Sequence, residues 1–259
     1  MIIPPSVNFD DASTLGTGLT TIGLSLYKSL QLPLPSLPSK EPFPVFVYGG
    51  STATGILAIQ FLKLQVIPSC NLCRICQLTV LLCRSGLTVI TACGVHNFDL
   101  VKSYGADACF DYRDVDCGKK VREYTGDKIE YVFDTISTEP SAAVCAEAMS
   151  STGGRYTCIL AVDFPRRDCK TDFVMGYTIN GEAYKMGPNA PLLPAKPDDY
   201  EFGEMFFSLA EELLAAGKFR AHRATVGKGG LHGVLEGLQL MREGKVSGTK
   251  MVYRVEDTS

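Results

Sequence analysis

From residue 44 onward, short apolar runs alternate with stretches whose apolar residues recur at helical spacing. Pro44-Val45-Phe46-Val47-Tyr48 is apolar throughout and closes on Gly49-Gly50, and residues 56–64 then read as a helix. The alternation continues with a strand over 87–91, a helix over 98–104 ended by Gly105, a strand over 108–112 and a helix over 119–124. A strand over 129–134, a helix over 142–149 and a strand over 154–160 complete it. Strands that are apolar on nearly every residue need cover on both faces. Interleaved with helices, they predict an α/β class domain, a doubly wound parallel sheet.

The flanks read differently. Asp10 and Asp11 are placed to cap a helix that presents Leu15, Leu19, Ile22 and Leu26 on one face. Pro33, Pro35, Pro38, Pro42 and Pro44 make the next stretch a loop or linker, because proline cannot continue a helix or a central strand. Toward the C-terminus, amphipathic helices over 201–216 and 231–242 are closed by Gly217 and Gly244, and 250–255 reads as a final strand.

Composition narrows the function classes. Hydrophobic residues are 46% and charged residues 20% of 259, enough apolar material for a packed core and too much for a disordered chain. A net charge of −3 gives no basic footprint for nucleic acid or an anionic membrane. No apolar run approaches the roughly 18 residues of a membrane-spanning helix, and no basic segment followed by an apolar stretch opens the chain. The reading is therefore a soluble, cytoplasmic protein. The ten cysteines are unevenly spread, with Cys70, Cys73, Cys76 and Cys83 inside fourteen residues.

The chemical signal lies between the first strand of the sheet and its helix, in Gly49-Gly50-Ser51-Thr52-Ala53-Thr54-Gly55. A dinucleotide needs a tight turn, close backbone approach to its pyrophosphate, and free N–H groups at a helix N-terminus. Gly50 and Gly55 match the outer glycines of G-x-G-x-x-G, while Thr52 takes the middle place. Ser51, Thr52 and Thr54 add hydroxyls for phosphate oxygens. Such a turn also serves as a plain connector, and its placement is what favours a nucleotide.

The end of the second strand bears on which nucleotide. An acid there would bind the ribose 2′-hydroxyl, but the run is Cys93-Gly94-Val95-His96-Asn97, and the first acid is Asp99, inside the next helix. With no carboxylate to repel a 2′-phosphate, His96, Asn97 and Lys102 could accept one, which favours NADP over NAD. His96 and Asn97 also read as caps for the helix beginning at Phe98.

These runs, with Gly105-Ala106-Asp107, Phe133-Asp134-Thr135-Ile136-Ser137 and Gly244-Lys245-Val246-Ser247-Gly248, carry a family resemblance. The chain resembles the fungal trans-acting enoyl reductases of polyketide biosynthesis, in the zinc-free, quinone-reductase-like part of the medium-chain dehydrogenase/reductase superfamily. The resemblance runs from about Ile3 to Val255 and is interrupted once. It implies a Rossmann domain binding NADP(H) beside a GroES-like domain, with the active site in the cleft between them. Hydride would pass to the β-carbon of an enoyl thioester on the carrier of a polyketide synthase, or a polyketide–peptide hybrid synthase, acting in trans. The resulting enolate would be protonated at the α-carbon.

By position, the resemblance implies that Ser51, Thr52, Ala53 and Thr54 hold the pyrophosphate and Gly94, Val95, His96 and Asn97 the 2′-phosphate. Tyr112 would pack near the adenine, and Ile159 with Leu160 along the nicotinamide. Thr14, Leu15, Gly16, Thr17, Gly18, Leu19, Thr20, Thr21, Thr178, Ile179, Asn180, Gly181, Glu182, Val246 and Ser247 would line the substrate side. The family often has serine where this chain has Gly94. Tyr112 also reads as packing, and Gly181-Glu182 as an ordinary turn. No residue stands in a clear acid–base role, and no metal set is implied. His222 and His232 lie in surface-like contexts and are not assigned to catalysis. The expected state is a monomer. A quinone or small-enone reductase of the same superfamily, or an inactive truncated fragment, is the competing reading.

Two departures stand out. From Gly50 to Gly94 is 44 residues, against the roughly 20 to 25 expected between phosphate turn and second-strand end. Deleting 65–84 leaves 24 and joins helix, turn and strand cleanly, so this segment reads as a translated intron or gene-model error. The four clustered cysteines within it also fit a zinc or redox module, or an inert loop. The second departure is the start of the chain, near where the family enters its linker helix. Most of a GroES-like domain, about a hundred residues on domain-size grounds, is then expected to be missing. That predicts an incomplete GroES-like part, an exposed apolar face on the C-terminal elements, and a chain that is unstable or inactive. The expected division is a linker helix and domain remnant over 1–40, the nucleotide-binding domain over 41–185, and returning elements over 186–259.

Overall fold

A computed structural model describes residues 1–37, 41–64 and 87–258. The proposed insertion at 65–84, with Cys70, Cys73, Cys76 and Cys83, lies outside the described residues. The chain forms two compact units, Ser25–Val174 and Met1–Leu24 with Met175–Ser259. These breaks, after Leu24 and Val174, do not coincide with the divisions expected after 40 and 185.

At the start, Asn8 caps α1 (Phe9–Ala12) by accepting the Asp11 N–H at 2.8 Å. Asp10 and Asp11 are therefore inside the first turn rather than capping it. α2 (Gly16–Ile22) leads into a π-helical stretch over Gly23–Ser29. Leu15, Leu19, Ile22 and Leu26 are fully buried, the face that the spacing predicts.

The larger unit is built on β1 (Pro44–Tyr48), β2 (Thr88–Cys93), β3 (Ala108–Asp111), β4 (Tyr131–Asp134), β5 (Gly154–Cys158) and β6 (Cys169–Phe173). All pair in parallel, in the order β3-β2-β1-β4-β5-β6. That is the Rossmann order, with its switch point between β1 and β4. The helices in this unit are α3 (Ala53–Lys63), α4 (Phe98–Ser103), α5 (Cys117–Thr125) and α6 (Glu139–Ala148). Phe46, Tyr48, Ile90, Val132 and Tyr156 pack on one face with Val121, Cys145 and Met149. The alternate residues Val45, Val47, Val89, Thr91 and Phe133 are equally buried. Both faces are covered, and each large apolar side chain so buried contributes about 1.5–3 kcal/mol.

Two features of this unit escape the apolar pattern. β6 is an edge strand whose residues are mostly exposed, and Lys170 and Asp172 suit an edge rather than a core. The strand expected over 154–160 stops at Cys158, so Ile159 and Leu160 leave the sheet.

The other unit carries α7 (Pro197–Ala215), β7 (Ala224–Val226), α8 (Gly230–Arg242) and β8 (Lys250–Val252), with β7 and β8 paired in parallel. The last strand ends three residues earlier than expected, and Val255–Asp257 is a 3-10 turn. α8 packs through glycines. A Cβ on Gly237 would sit 2.0 Å from the Tyr253 hydroxyl, so only glycine allows the approach. Its outer face leaves Leu231 56% and Leu235 74% exposed. Among the described residues no helix is long and apolar enough to cross a membrane.

Candidate functional site

The turn after β1 is shaped by three glycines, each with a specific steric reason. Gly49 is left-handed at φ 81°, and its N–H and that of Gly50 both donate to the Ala92 carbonyl, at 2.9 and 3.2 Å. A Cβ on Gly50 would fall 1.9 Å from Thr91 Oγ1, and one on Gly55 would fall 2.3 Å from the Gly49 carbonyl oxygen. The turn therefore lies flat over the end of β2 and folds α3 tightly back on it. A pyrophosphate needs a tight turn of this kind, and a side chain at Gly50 or Gly55 would force it apart. The residues present fit a dinucleotide.

Thr52 is the N-cap of α3, its hydroxyl accepting the Gly55 N–H at 2.9 Å, so the helix begins three residues earlier than the apolar spacing predicts. The same hydroxyl lies 3.0 Å from Thr135 Oγ1, and the Thr52 N–H donates to Gly49 O at 3.0 Å. Thr52 is thus committed to the turn itself rather than offering a free hydroxyl to a phosphate. Ser51 and Thr54 are half-buried. The N–H groups of Ala53 and Thr54, at the first positions of the helix, have no acceptor within it, and the helix dipole adds a partial positive charge there.

The loop after β4 holds this turn from the other side of the switch point. Thr135 is buried, and its hydroxyl lies 2.9 Å from Tyr48 O and 3.1 Å from Gly49 O. Sequence reading quoted Thr135 as part of a motif and gave it no role. The only signal was a β-hydroxyl at the end of a buried strand, which becomes informative once β4 is known to neighbour β1.

At the ends of β2 and β3, the register pairs Cys93 with Asp111, and Gly94 and Tyr112 are the next residues after each strand. Gly94 caps a 3-10 turn over Val95–Asn97 that runs into α4. A Cβ on Gly94 would meet the His96 ring at 2.7 Å, so a serine here would require that ring to move. His96 is exposed and Asn97 buried, their side-chain nitrogens 3.3 Å apart. Lys102 is exposed and sits a turn into α4, near Cys109. Tyr112 is 42% exposed, its edge toward Tyr48, and the Arg113 guanidinium lies 5.0 Å over its ring. Arg113 is a cation beside Tyr112 that the sequence motifs do not single out.

Ile159 is half-buried and Leu160 exposed, just beyond β5. Burial pushes the Cys93 thiol up to about 12 and those of Cys117 and Cys158 up to about 11, so these three are poor nucleophiles.

The residues expected on the substrate side all fall in the other unit, and the fold gathers many of them. α2 packs against a 3-10 turn over Gly176–Asn180, with Thr20 Cγ2 3.4 Å from where a Gly176 Cβ would stand. Gly16 and Thr17 are exposed, and Thr20, Thr21, Ile179 and Gly181 half-buried. Asn180 and Glu182 are also exposed. Leu15 and Leu19, in contrast, have no exposed surface and belong to the core, as do the buried Thr14, Gly18 and Thr178. Val246 is half-buried and Ser247 exposed after α8, and Lys250 Nζ donates to the Thr14 carbonyl at 3.3 Å.

His222 is not at the surface. It is 1% exposed, and neither ring nitrogen has a hydrogen-bond partner among the described residues. Burial first, and the Lys250 charge second, push it down to about 4. His232 is exposed.

No protein-family model matches the chain. Curated relatives do. The chain is 41% identical over 252 residues to the trans-enoyl reductase ACTTS2 of Alternaria alternata, covering 97% of this chain and 66% of that protein. It is 39% identical over 259 residues to a trans-enoyl reductase of Gibberella fujikuroi, covering 98% and 67%. The chain thus spans about two thirds of the length of these relatives. Among solved structures it is similar to the JamJ enoyl reductase, with a TM-score of 0.68, 13% identity, and 97% of this chain and 66% of that one covered. It is also similar to CurA of Vibrio vulnificus, solved in complex with NADPH, with a TM-score of 0.59, 17% identity and coverage of 92% and 62%. At these identities the structural likeness concerns the fold alone.

Proposed function

The chain belongs to the fungal trans-enoyl reductase family, and from this we propose that it reduces the α,β-double bond of a polyketide thioester presented by a partner synthase, with NADPH as the cofactor. The observation that carries the cofactor half is the tight glycine turn at the β1–β4 switch point, which Gly50 and Gly55 alone permit, because a Cβ on either would strike Thr91 or the Gly49 carbonyl. When bound, the dinucleotide supplies the hydride. The protein's own share is binding and orientation.

In this reading Ala53 and Thr54 N–H groups, with the Ser51 and Thr54 hydroxyls, hold the phosphates at the start of α3, while Thr52 holds the turn. Gly94 to Asn97 and Tyr112 take the adenosine end, where the absence of an acid between Cys93 and Phe98 favours NADPH over NADH. Ile159 and Leu160 take the nicotinamide end. On the substrate side, Gly16, Thr17, Thr20, Thr21, Ile179 to Glu182, Val246 and Ser247 have the accessible surface to meet an acyl chain. A partner synthase is what the family's action in trans calls for.

The test is a binding and turnover experiment on the purified 259-residue chain. NADPH titration should raise the melting temperature and give saturable nicotinamide fluorescence, with NADH weaker. A carrier-bound enoyl thioester should then consume NADPH faster than a simple quinone does. A chain that binds neither nucleotide, or that reduces quinone and leaves the carrier-bound thioester untouched, overturns the proposal.

A further inference from the structure

The loop between β4 and α6 does more than hold the phosphate turn. Asp134 closes β4 with no exposed surface, and its two carboxylate oxygens accept four hydrogen bonds. Oδ1 takes the N–H groups of Ile136 and Ser137, both at 2.9 Å, and Oδ2 takes the hydroxyls of Ser141 at 2.6 Å and Tyr156 at 3.0 Å. A buried carboxylate needs such a set, and this one fixes the course of residues 135–137. Ser137 is held there at φ 61°, a backbone region that residues other than glycine seldom adopt.

In that position the Ser137 hydroxyl works in both directions. It donates to the Asp134 carbonyl at 3.1 Å and accepts the Ile159 N–H at 2.8 Å. The β4–β5 ladder ends with Asp134 opposite Cys158, so Ile159 is the first residue past it, and a side chain takes its N–H in place of a strand. Thr135, two residues earlier, is bonded to the phosphate turn. One short loop therefore ties together the two segments read as the pyrophosphate and nicotinamide ends of the cofactor site.

We propose that Ser137, held by Asp134, is a positioning residue for the nicotinamide half of the cofactor: its hydroxyl fixes the backbone at Ile159 and so sets where the ring lies relative to the phosphate turn. The proposal rests on the reading of Ile159 and Leu160 as the nicotinamide segment. Ser137 does not itself touch the reacting atoms in this account.

The experiment compares the adenine half of the cofactor with the whole. Ser137→Ala removes the hydroxyl, and Ser137→Gly removes it while suiting the left-handed backbone, so one variant stays folded if the other is strained. Binding of 2′-phospho-ADP-ribose and of NADPH is measured by calorimetry, with the fluorescence of bound NADPH as a signature of ring environment. Both variants should bind the fragment as the wild type does, bind NADPH about five- to tenfold more weakly, the scale of one lost hydrogen bond, and lose the fluorescence enhancement. Unchanged NADPH affinity and fluorescence overturn the inference alone. Equal weakening of fragment and NADPH also overturns it, since that marks general loosening of the fold. A wild-type protein that binds the fragment without any nicotinamide signature overturns it together with the nicotinamide reading, and one that binds neither overturns the functional reading as well.

Discussion

Gly50→Ala is the most direct probe of the glycine turn, because the atom it would strike is known. The new Cβ would lie 1.9 Å from Thr91 Oγ1, 2.9 Å from Thr91 Cβ and 3.1 Å from Thr91 Cγ2. Thr91 cannot turn aside freely, since it is fully buried and its hydroxyl donates to Val47 O at 2.7 Å. Overpacking at such a site costs about 1–3 kcal/mol. Thr91→Ala alone should cost about 1 kcal/mol, the worth of one buried hydrogen bond, with a little more for the lost methyl. In the double variant the 1.9 and 3.1 Å contacts are gone and only the 2.9 Å approach to Cβ remains, which a few tenths of an ångström relieve. Its stability should then lie close to that of Thr91→Ala, giving a favourable coupling of about 1–2 kcal/mol. Gly55→Ala makes the contrast. Its Cβ would meet the Gly49 carbonyl at 2.3 Å, a backbone atom, so Thr91→Ala should not rescue it. Urea unfolding of the four proteins of the cycle, with NADPH titration of each, gives both quantities. Additive losses, with no coupling between residues 50 and 91, would refute the packing argument. Full NADPH affinity in Gly55→Ala would refute the turn's role in binding.

Other expectations follow from individual contacts. Thr52→Ala removes the cap of α3 and should cost about 1 kcal/mol, lowering Tm by about 2–4 °C for a chain of this size. His222 is pushed down to about 4 from an ordinary 6.5, so below pH 6.5 the unfolded chain takes up a proton that the folded one refuses. Stability should therefore fall as pH drops from about 6.5 toward 4, by on the order of 3 kcal/mol at about 1.4 kcal/mol per pH unit, and His222→Leu should flatten that part of the profile in denaturant titrations. Arg113→Ala should weaken NADPH about fivefold and NADH little, the size of an exposed ion pair of about 1 kcal/mol; equal effects on both would assign Arg113 to stacking on Tyr112 instead.

Local pattern carried much of the larger unit. Runs such as Pro44–Tyr48 are apolar on every residue because both faces of a central parallel strand are buried, and the burial of Val45, Val47, Phe46 and Tyr48 bears this out. Gly49, Gly50 and Gly55 were legible as a tight strand-to-helix turn because the geometry tolerates no side chain there. The buried face of Leu15, Leu19 and Ile22 was legible from helical spacing alone. Where the pattern misled, a polar contact had replaced an apolar one. Asn8 caps α1 in place of Asp10 or Asp11, and the caps at Thr52 and Thr138 start α3 and α6 three residues before their apolar spacing does. The edge strand Cys169–Phe173 has too little buried surface to leave an apolar mark.

What the sequence by itself determined is β1 to β5 and β8, most of the α-helices, and the turn that suits a dinucleotide, because these depend on residues close together along the chain. The tertiary structure alone decided which strand ends meet. β4 lies beside β1, so Thr135 reaches the phosphate turn, and β5 lies beside β4, so Ser137 reaches Ile159. Those partners are 86 and 22 residues apart for the Thr135–Gly49 and Ser137–Ile159 bonds, and no local spacing encodes them. Burial of His222 was decided in the same way. Its neighbours Ala221 and Arg223 give no apolar period, and the residues that meet it, Thr14 and Lys250 among them, come from distant parts of the chain.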